Sequence, residues 1–365
     1  MKLCIAATHP VQYHAPLFRL LARELDLFVL YQKGSDAEQH ERSDFEKSFE
    51  WDTNLLEGYK SKVLAGGIDK EIARQDCDAI LVLGWHSSFY WKATFSGIGN
   101  NIPVLVRGDS HLLTPTPIFK RLLKLVTHRL LLLCFDAALY SGVRSREYFS
   151  HYGMKDEQLF FSPNSVDNQF FFKQSASGES LRDELGIPAE EKVVLFAGKL
   201  VEDKNPHLFS EAIVELNHAD KGRIHGVVVG DGRLRQQLMS RYSDESYLHF
   251  PGFRNQSQMP ACYASADLLC LPSKHETWGL VVNEAMATGL PCLVTDTAGC
   301  VPDLITKETG MTLSIDEMSA LAAKIALALE RTWNRDAIRH AISGYDLNQT
   351  ARGIVEACTY AVNRK

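Results

Sequence analysis

Glu276 and Glu284 stand eight residues apart in the segment His275–Pro291, HETWGLVVNEAMATGLP. An ionised carboxylate only accepts hydrogen bonds, so each is suited to hold hydroxyls rather than phosphate. Two lysines, Lys199 and Lys204, follow the apolar run Val193–Ala197, and their ammonium groups could neutralise a leaving diphosphate without a metal. Taken singly, each of these four residues reads as an ordinary solvated charge. In the first half, His111 follows Val104–Arg107 within Gly108-Asp109-Ser110-His111, with Asp109 a rival in register, and His86 follows Ala79–Leu83. The first apolar run leads into His9-Pro10-Val11-Gln12-Tyr13-His14, where Gln12 and His14 are candidates to touch a ligand. Asp76-Cys77-Asp78 has a spacing that suits two carboxylates on one divalent ion. It precedes a strand, at the end opposite to where parallel sheets bind ligands, so no metal is expected there.

Strands and helices must aim these groups. Short apolar runs bounded by turn residues alternate with amphipathic segments: Leu3–Ala7 then Ala15–Glu24, Ala79–Leu83, Val104–Arg107 then Ile118–Leu133, and Ala137–Ser141. That alternation signals a parallel sheet with crossover helices. It starts again with Val193–Ala197, Gly226–Val229, His249–Pro251, Leu268–Leu271 and Cys292–Thr295. The expected fold class is therefore α/β, with two doubly wound Rossmann-like domains facing across a cleft. Residues 1–172 form the first domain and 173–344 the second, broken near the small, polar KQSASGES. The last helical stretch, Gln349–Ala361 within 345–365, has no strand left to follow, and its place in the order suggests that it packs back on the first domain. Leu268–Leu271 is an apolar strand ended by Pro272, and the pattern from Trp278 to Ala287 is helical, closed by Gly289 and Pro291. The amides of Trp278, Gly279 and Leu280 would then face outward with the positive end of the helix dipole, a site for phosphate that Gly279 lets approach closely. Carboxylates repel a diphosphate held there, so the two glutamates flank it. A molecule with diols on both sides of a diphosphate is a nucleotide sugar.

The segment resembles the Glu-x7-Glu motif of the retaining glycosyltransferases of family four, which have the GT-B fold. His275, Glu276, Gly279, Glu284, Ala285, Ala287, Gly289 and Pro291 all fall where that motif has them. The resemblance implies that Glu276 contacts the transferred sugar and Glu284 the ribose hydroxyls. Gly198-Lys199-Leu200 and Lys204 resemble the family's phosphate-binding positions, and Gly230-Asp231-Gly232 its Gly-x-Gly turn. Pro251-Gly252-Phe253-Arg254 looks like the loop that holds the nucleobase. By the same resemblance His111 is matched to a histidine near the scissile bond. The turn at His9–His14 departs from the family's paired glycines, which leaves Gln12, His14, His86 and Asp109 as acceptor-side candidates and the donor sugar and base open. The resemblance implies transfer from a UDP- or GDP-linked sugar to a glycan, lipid-linked or small-molecule hydroxyl, with retention, with no cofactor and no metal. A sugar-nucleotide epimerase or phosphorylase of similar fold and a non-catalytic nucleotide-sugar binder are the rivals.

Composition agrees with an ordinary globular protein: 365 residues, 45% apolar and 23% charged. The net charge of −6 falls entirely after residue 175, since the 20 Lys+Arg and 20 Asp+Glu before it cancel. No global basic field exists for nucleic acid. The eight cysteines lack any Cys-x-x-Cys pair and lie mostly in apolar runs, as expected of thiols in a reducing cytoplasm. The N-terminal apolar run is too short for a signal peptide. Residues 110–135 hold Lys120, Arg121, Lys124 and Arg129 with no acid, interleaved with leucines. The stretch 118–133 is either a buried helix with a basic face or a helix lying on the inner face of an anionic membrane.

Overall fold

In the computed structural model, which describes residues 1–34, 51–113, 117–175, 180–219 and 223–365, the apolar runs become the centres of two parallel sheets. The first sheet contains β1 (Lys2–Ala7), β2 (Asp26–Tyr31), β3 (Lys60–Val63), β4 (Ala79–Val82), β5 (Val104–Gly108), β6 (Ala137–Tyr140) and β7 (Leu159–Phe161). Their order is β3-β2-β1-β4-β5-β6-β7, every pair parallel. Strands β1, β4 and β5 are almost wholly buried, as a parallel strand covered on both faces must be. Edge strand β3 is Lys-Ser-Lys-Val and largely exposed. It carries no apolar run, and its lysines keep an open edge from pairing with another chain.

The second sheet contains β8 (Lys192–Ala197), β9 (Ile224–Val229), β10 (Leu248–Gly252), β11 (Leu268–Leu271), β12 (Cys292–Thr295) and β13 (Gly310–Leu313), in the parallel order β10-β9-β8-β11-β12-β13. Each sheet reverses direction once, between β1 and β4 in the first and between β8 and β11 in the second. Doubly wound sheets bind ligands outside the carboxyl ends of strands at such a reversal. The two reversals lie at His9–His14 with Gly84–His86, and at Gly198–Lys204 with Ser273–Leu280.

The chain folds into two units. One holds the described residues of 1–41, 53–165 and 345–365, the other those of 42–52 and 166–344. The polar stretch at 173–180 is only partly described, because 176–179 lie outside the described residues. Helix Asn168–Gln174, just ahead of it, belongs to the second unit, where Phe171 meets Tyr263 with ring centroids 6.1 Å apart. In the first unit, helix Leu347–Asn363 buries Ala351, Ile354, Ala357, Cys358 and Ala361 in one core with Leu3, Ile5, Phe18 and Leu21. Gly353 makes the fit possible, since a Cβ there would lie 2.0 Å from the carbonyl oxygen of Phe161. Thr350 anchors the same crossing: its hydroxyl bonds Ser165 Oγ at 2.6 Å and the Pro163 carbonyl at 2.8 Å.

Candidate functional site

At the reversal of the second sheet, the chain leaving β8 is pressed against the chain leaving β9. Gly198, Gly230 and Gly232 all have strongly positive φ, at 153°, 142° and 156°. A Cβ on Gly230 would fall 1.9 Å from the Gly198 carbonyl oxygen, and one on Gly232 would strike the Leu200 backbone at 2.6 Å. The Leu200 amide donates to the Asp231 carbonyl at 2.9 Å, and Leu234 N to Leu200 O at 3.0 Å. The Gly-x-Gly turn is thus a packing device that shapes the loop bearing Lys199 and Lys204.

That loop is stapled to the one leaving β11. Asn205, in the left-handed region at φ 53°, donates from Nδ2 to the Pro272 carbonyl at 2.9 Å. The Lys274 amide donates to Asp203 O at 2.7 Å. The staples bring Lys204 Nζ onto Glu276 Oε2, an ion pair whose side chains keep 22% and 16% of their surface exposed. Residues 276–279 are held in turn by the loop after β12: Gly299 N donates to Glu276 O at 3.0 Å and Cys300 N to Trp278 O at 3.2 Å. Gly299 permits this approach, for a Cβ there would lie 1.8 Å from the Thr277 carbonyl oxygen.

Helix Leu280–Ala287 starts two residues later than its sequence pattern suggested. Gly279, at φ 102°, is its N-cap and the Trp278 side chain is packed away, with Nε1 donating to Asn283 Oδ1 at 2.8 Å. Val282 N reaches back to Gly279 O at 2.9 Å. The amides of Leu280 and Val281 have no intrahelical acceptor, as in any first turn. Glu284, on the second turn, is buried and accepts from the Tyr263 hydroxyl at 2.5 Å. Arg254 pairs with Glu184, and Phe253 meets the ring of Trp51 edge-on at 6.2 Å, while Asp52 Oδ2 accepts the Ser257 amide at 3.0 Å.

In the first unit, the reversal gathers different chemistry. Gln12 and His14 follow β1, exposed His86 follows β4 with its ring 5.3 Å from that of Tyr90, and Asp109 and the partly buried His111 follow β5. Burial, Arg107 and His9 pull the His14 pKa down to about 3, so the imidazole is neutral. Asp109 Oδ2 accepts from Asn164 Nδ2 at 3.3 Å. Asp76 and Asp78 lie at the amino end of β4, where Asp78 Oδ2 is taken by the Lys2 amide at 2.7 Å. Among the described residues no group of three or more His, Cys, Asp or Glu could hold a metal ion.

Arg107, Asn205, Tyr263, Gly299 and Trp51 join the site without having stood out in the sequence. A charge ending the buried run Val-Leu-Val-Arg-Gly was the available signal for Arg107. Asn205, Tyr263 and Gly299 act through backbone or through-space partners far along the chain, which no local pattern encodes.

The fold these sheets define is GT-B. Solved structures that share it across nearly the whole chain include a glycosyltransferase from Rickettsia africae (TM-score 0.75, 13% identity, 100% of this chain and 99% of that one). The Anabaena protein HepE in complex with UDP and glucose is another (TM-score 0.73, 18% identity, 98% and 99%). Residues 177–343, nearly all of the second unit's main segment, match the family model described as glycosyl transferases group 1. Among curated relatives, a D-inositol 3-phosphate glycosyltransferase of Corynebacterium glutamicum is 30% identical over 210 residues, 54% of this chain and 50% of its own length. A UDP-Gal:alpha-D-GlcNAc-diphosphoundecaprenol alpha-1,3-galactosyltransferase of Escherichia coli is 33% identical over 144 residues, 38% and 36%. The chain spans about half the length of the curated relatives it matches, or less.

Proposed function

We propose that this chain is a retaining glycosyltransferase that moves a sugar from a UDP- or GDP-linked donor to a hydroxyl of a glycan, lipid-linked or small-molecule acceptor. The observation that carries the reading is the Lys204–Glu276 pair at the reversal of the second sheet, in the part of the chain that matches the glycosyl transferase family. Lys199 and Lys204 neutralise the leaving diphosphate, with the amides of Leu280 and Val281 at the helix start as further donors. This supply of positive charge makes a metal unnecessary, and the reaction needs no cofactor. Glu276 accepts from hydroxyls of the transferred sugar, and Glu284, steadied by Tyr263, from the ribose. Gly198 and Gly230 shape the phosphate loop, while Phe253 and Arg254 border the base. His111, with Gln12, His14, His86 and Asp109, serves the acceptor side. The diphosphate leaves the anomeric carbon and the acceptor hydroxyl enters on the same face, its proton passing to the departing phosphate oxygen.

Membrane contact belongs to the same reading. Helix Ile118–Leu132 buries only Leu132, while Ile118, Phe119, Leu122, Leu123, Val126 and Leu130 are each 60–79% exposed beside Lys120, Arg121, Lys124 and Arg129. An apolar face this large, flanked by cations without acids, fits an anionic lipid surface. No helix among the described residues is long and apolar enough to cross a membrane. The unpaired cysteines suit the cytoplasmic side.

Donor consumption is measured with acceptor present and divalent ions chelated. Glu276→Gln and Lys204→Ala should each cost about 10²–10³ in turnover while the far-UV signature of the fold is kept. Turnover near that of the native chain in either variant would reject the assigned roles.

A further inference from the structure

The amino end of the second sheet, opposite to the strand ends that carry Lys199, Lys204 and Glu276, holds a separate group of titratable side chains. His225 is the second residue of β9 and His249 the second of β10. The parallel register sets Val193 beside His225 and Val227 beside His249, so Glu191, Arg223, His225, Tyr247 and His249 share one face. His225 Nδ1 lies 2.9 Å from His249 Nε2, and His225 Nε2 lies 2.5 Å from Glu191 Oε2. The two imidazoles stack with centroids 5.1 Å apart. Arg223 Nη1 donates to Glu191 Oε1 at 2.9 Å, and the Tyr247 ring meets that of His225 at 5.3 Å. Lys192, the next residue along β8, turns to Asp267 at 3.3 Å, and Glu190 acts on Arg223 from farther off.

This chain of groups limits how many protons it can hold. Of two imidazole nitrogens 2.9 Å apart, one must donate and the other accept. If both rings become imidazolium, an N–H stands on each side of that contact and two like charges are stacked. The bond is then lost. The hydrogen bond from His225, helped by Arg223, holds the Glu191 carboxyl below the usual carboxylate range, so the acceptor at the far end stays ionised. Burial and His225 hold the His249 pKa down to about 4.

The strand that His249 secures has few other ties. β10 is the edge strand, paired with β9 alone, and its register shifts between His249 and Gly252. Pro251, within that shift, has no amide to give to a ladder. We propose that Glu191, His225 and His249 form an acid-sensitive latch that fastens β10 to β9 and is released when both imidazoles are protonated. Once released, His249 titrates as an ordinary imidazole, near pH 6.5. The fastened form has the lower pKa and binds fewer protons, so the latch is complete above about pH 6.5 and is lost progressively toward pH 4. Release loosens the strand whose far end delivers Phe253 and Arg254, whatever ligand that end receives.

The test is hydrogen exchange of the full chain, read by mass spectrometry at pH 7 and pH 5 and corrected for the intrinsic pH dependence of amide exchange. In the native chain the peptide 246–252 should lose about tenfold to thirtyfold of its protection between the two values, while peptides from β8, β11 and β12 keep theirs. His249→Gln can still bond to His225 but takes up no proton, so its loss should stay below about threefold. His249→Phe keeps the ring without the bond. It should be less protected at pH 7 and equally insensitive to pH, and it serves alone if His249→Gln does not fold. A native peptide that is unprotected or unchanged, a loss of native size in the variants, or a loss shared by the central strands would overturn the proposal. An NMR titration of the His249 ring, assigned by its absence from His249→Gln, should have its midpoint near pH 4. An ordinary midpoint of about 6.5 would overturn the latch as well.

Discussion

Lys204 and Glu276 are only partly exposed yet reachable, and in such a setting the pair itself adds little stability, about 0–1 kcal/mol. On the proposed reading its worth lies in what each charge does for an arriving polyanion with hydroxyls. His14 carries the opposite lesson, a titratable group held neutral at a cost. Its folded pKa of about 3 lies below the unfolded value of about 6.5. The unfolded chain therefore takes up a proton first as the pH falls. The stability tied to neutral His14 is complete above about pH 6.5 and is lost progressively toward pH 3. Urea unfolding at pH 7 and pH 4.5 should show that His14→Gln loses about 2–3 kcal/mol less than the native chain between the two values. An identical loss in both would mean that His14 is not neutralised by its surroundings. Of these residues, Glu276, Lys204 and His14 stood out in the sequence because charged or titratable side chains after apolar runs mark strand ends. Arg107 did not, because its hydrogen bonds run to residues 162–164, far along the chain, and only the folded chain reveals them.

At the level of strands, helices and loops, the reversal of the second sheet is a stack of backbone held together by glycines. Gly230 was readable as a turn residue and Gly299 was not, yet each lets one loop lie within van der Waals contact of another. Gly299→Ala should destabilise the chain by about 1–3 kcal/mol and loosen nucleotide binding as Thr277 shifts. A thermal melt and a nucleotide titration on one sample read both; an unchanged melt would show that the loop yields freely. The strands β1, β4, β5, β8, β11 and β12 were legible from uninterrupted apolar runs. The edge strand β3 was not, since Lys-Ser-Lys-Val has neither alternation nor a run. The later start of helix Leu280–Ala287 has a similar cause: Trp278 is buried by a side-chain bond to Asn283, so its hydrophobicity does not report helical periodicity.

For the protein as a whole, the sequence left the basic stretch 118–133 open between a buried helix and a membrane-facing one. Periodicity fixes which residues share a face but not whether a second element covers it. In the folded chain the apolar side of the helix is uncovered among the described residues. Leu122→Glu and Val126→Glu change exposed positions, so they should move stability by no more than about 0.5 kcal/mol. They should also abolish sedimentation with vesicles of anionic phospholipid. Retained sedimentation, or none by the native chain, would dismiss the membrane face.

A second unit that holds a nucleotide sugar through Lys199, Lys204, Glu276 and Glu284 must be stabilised by that ligand, because a molecule that binds only the folded form raises the melting temperature. Thermal melts with a panel of nucleotide sugars, in the absence of divalent ions, should therefore show a clear rise with a UDP- or GDP-linked sugar. The rise should be lost in Lys199→Ala/Lys204→Ala. A panel that leaves the melting temperature of the native chain unmoved, or a rise that survives in the double variant, would contradict the assignment.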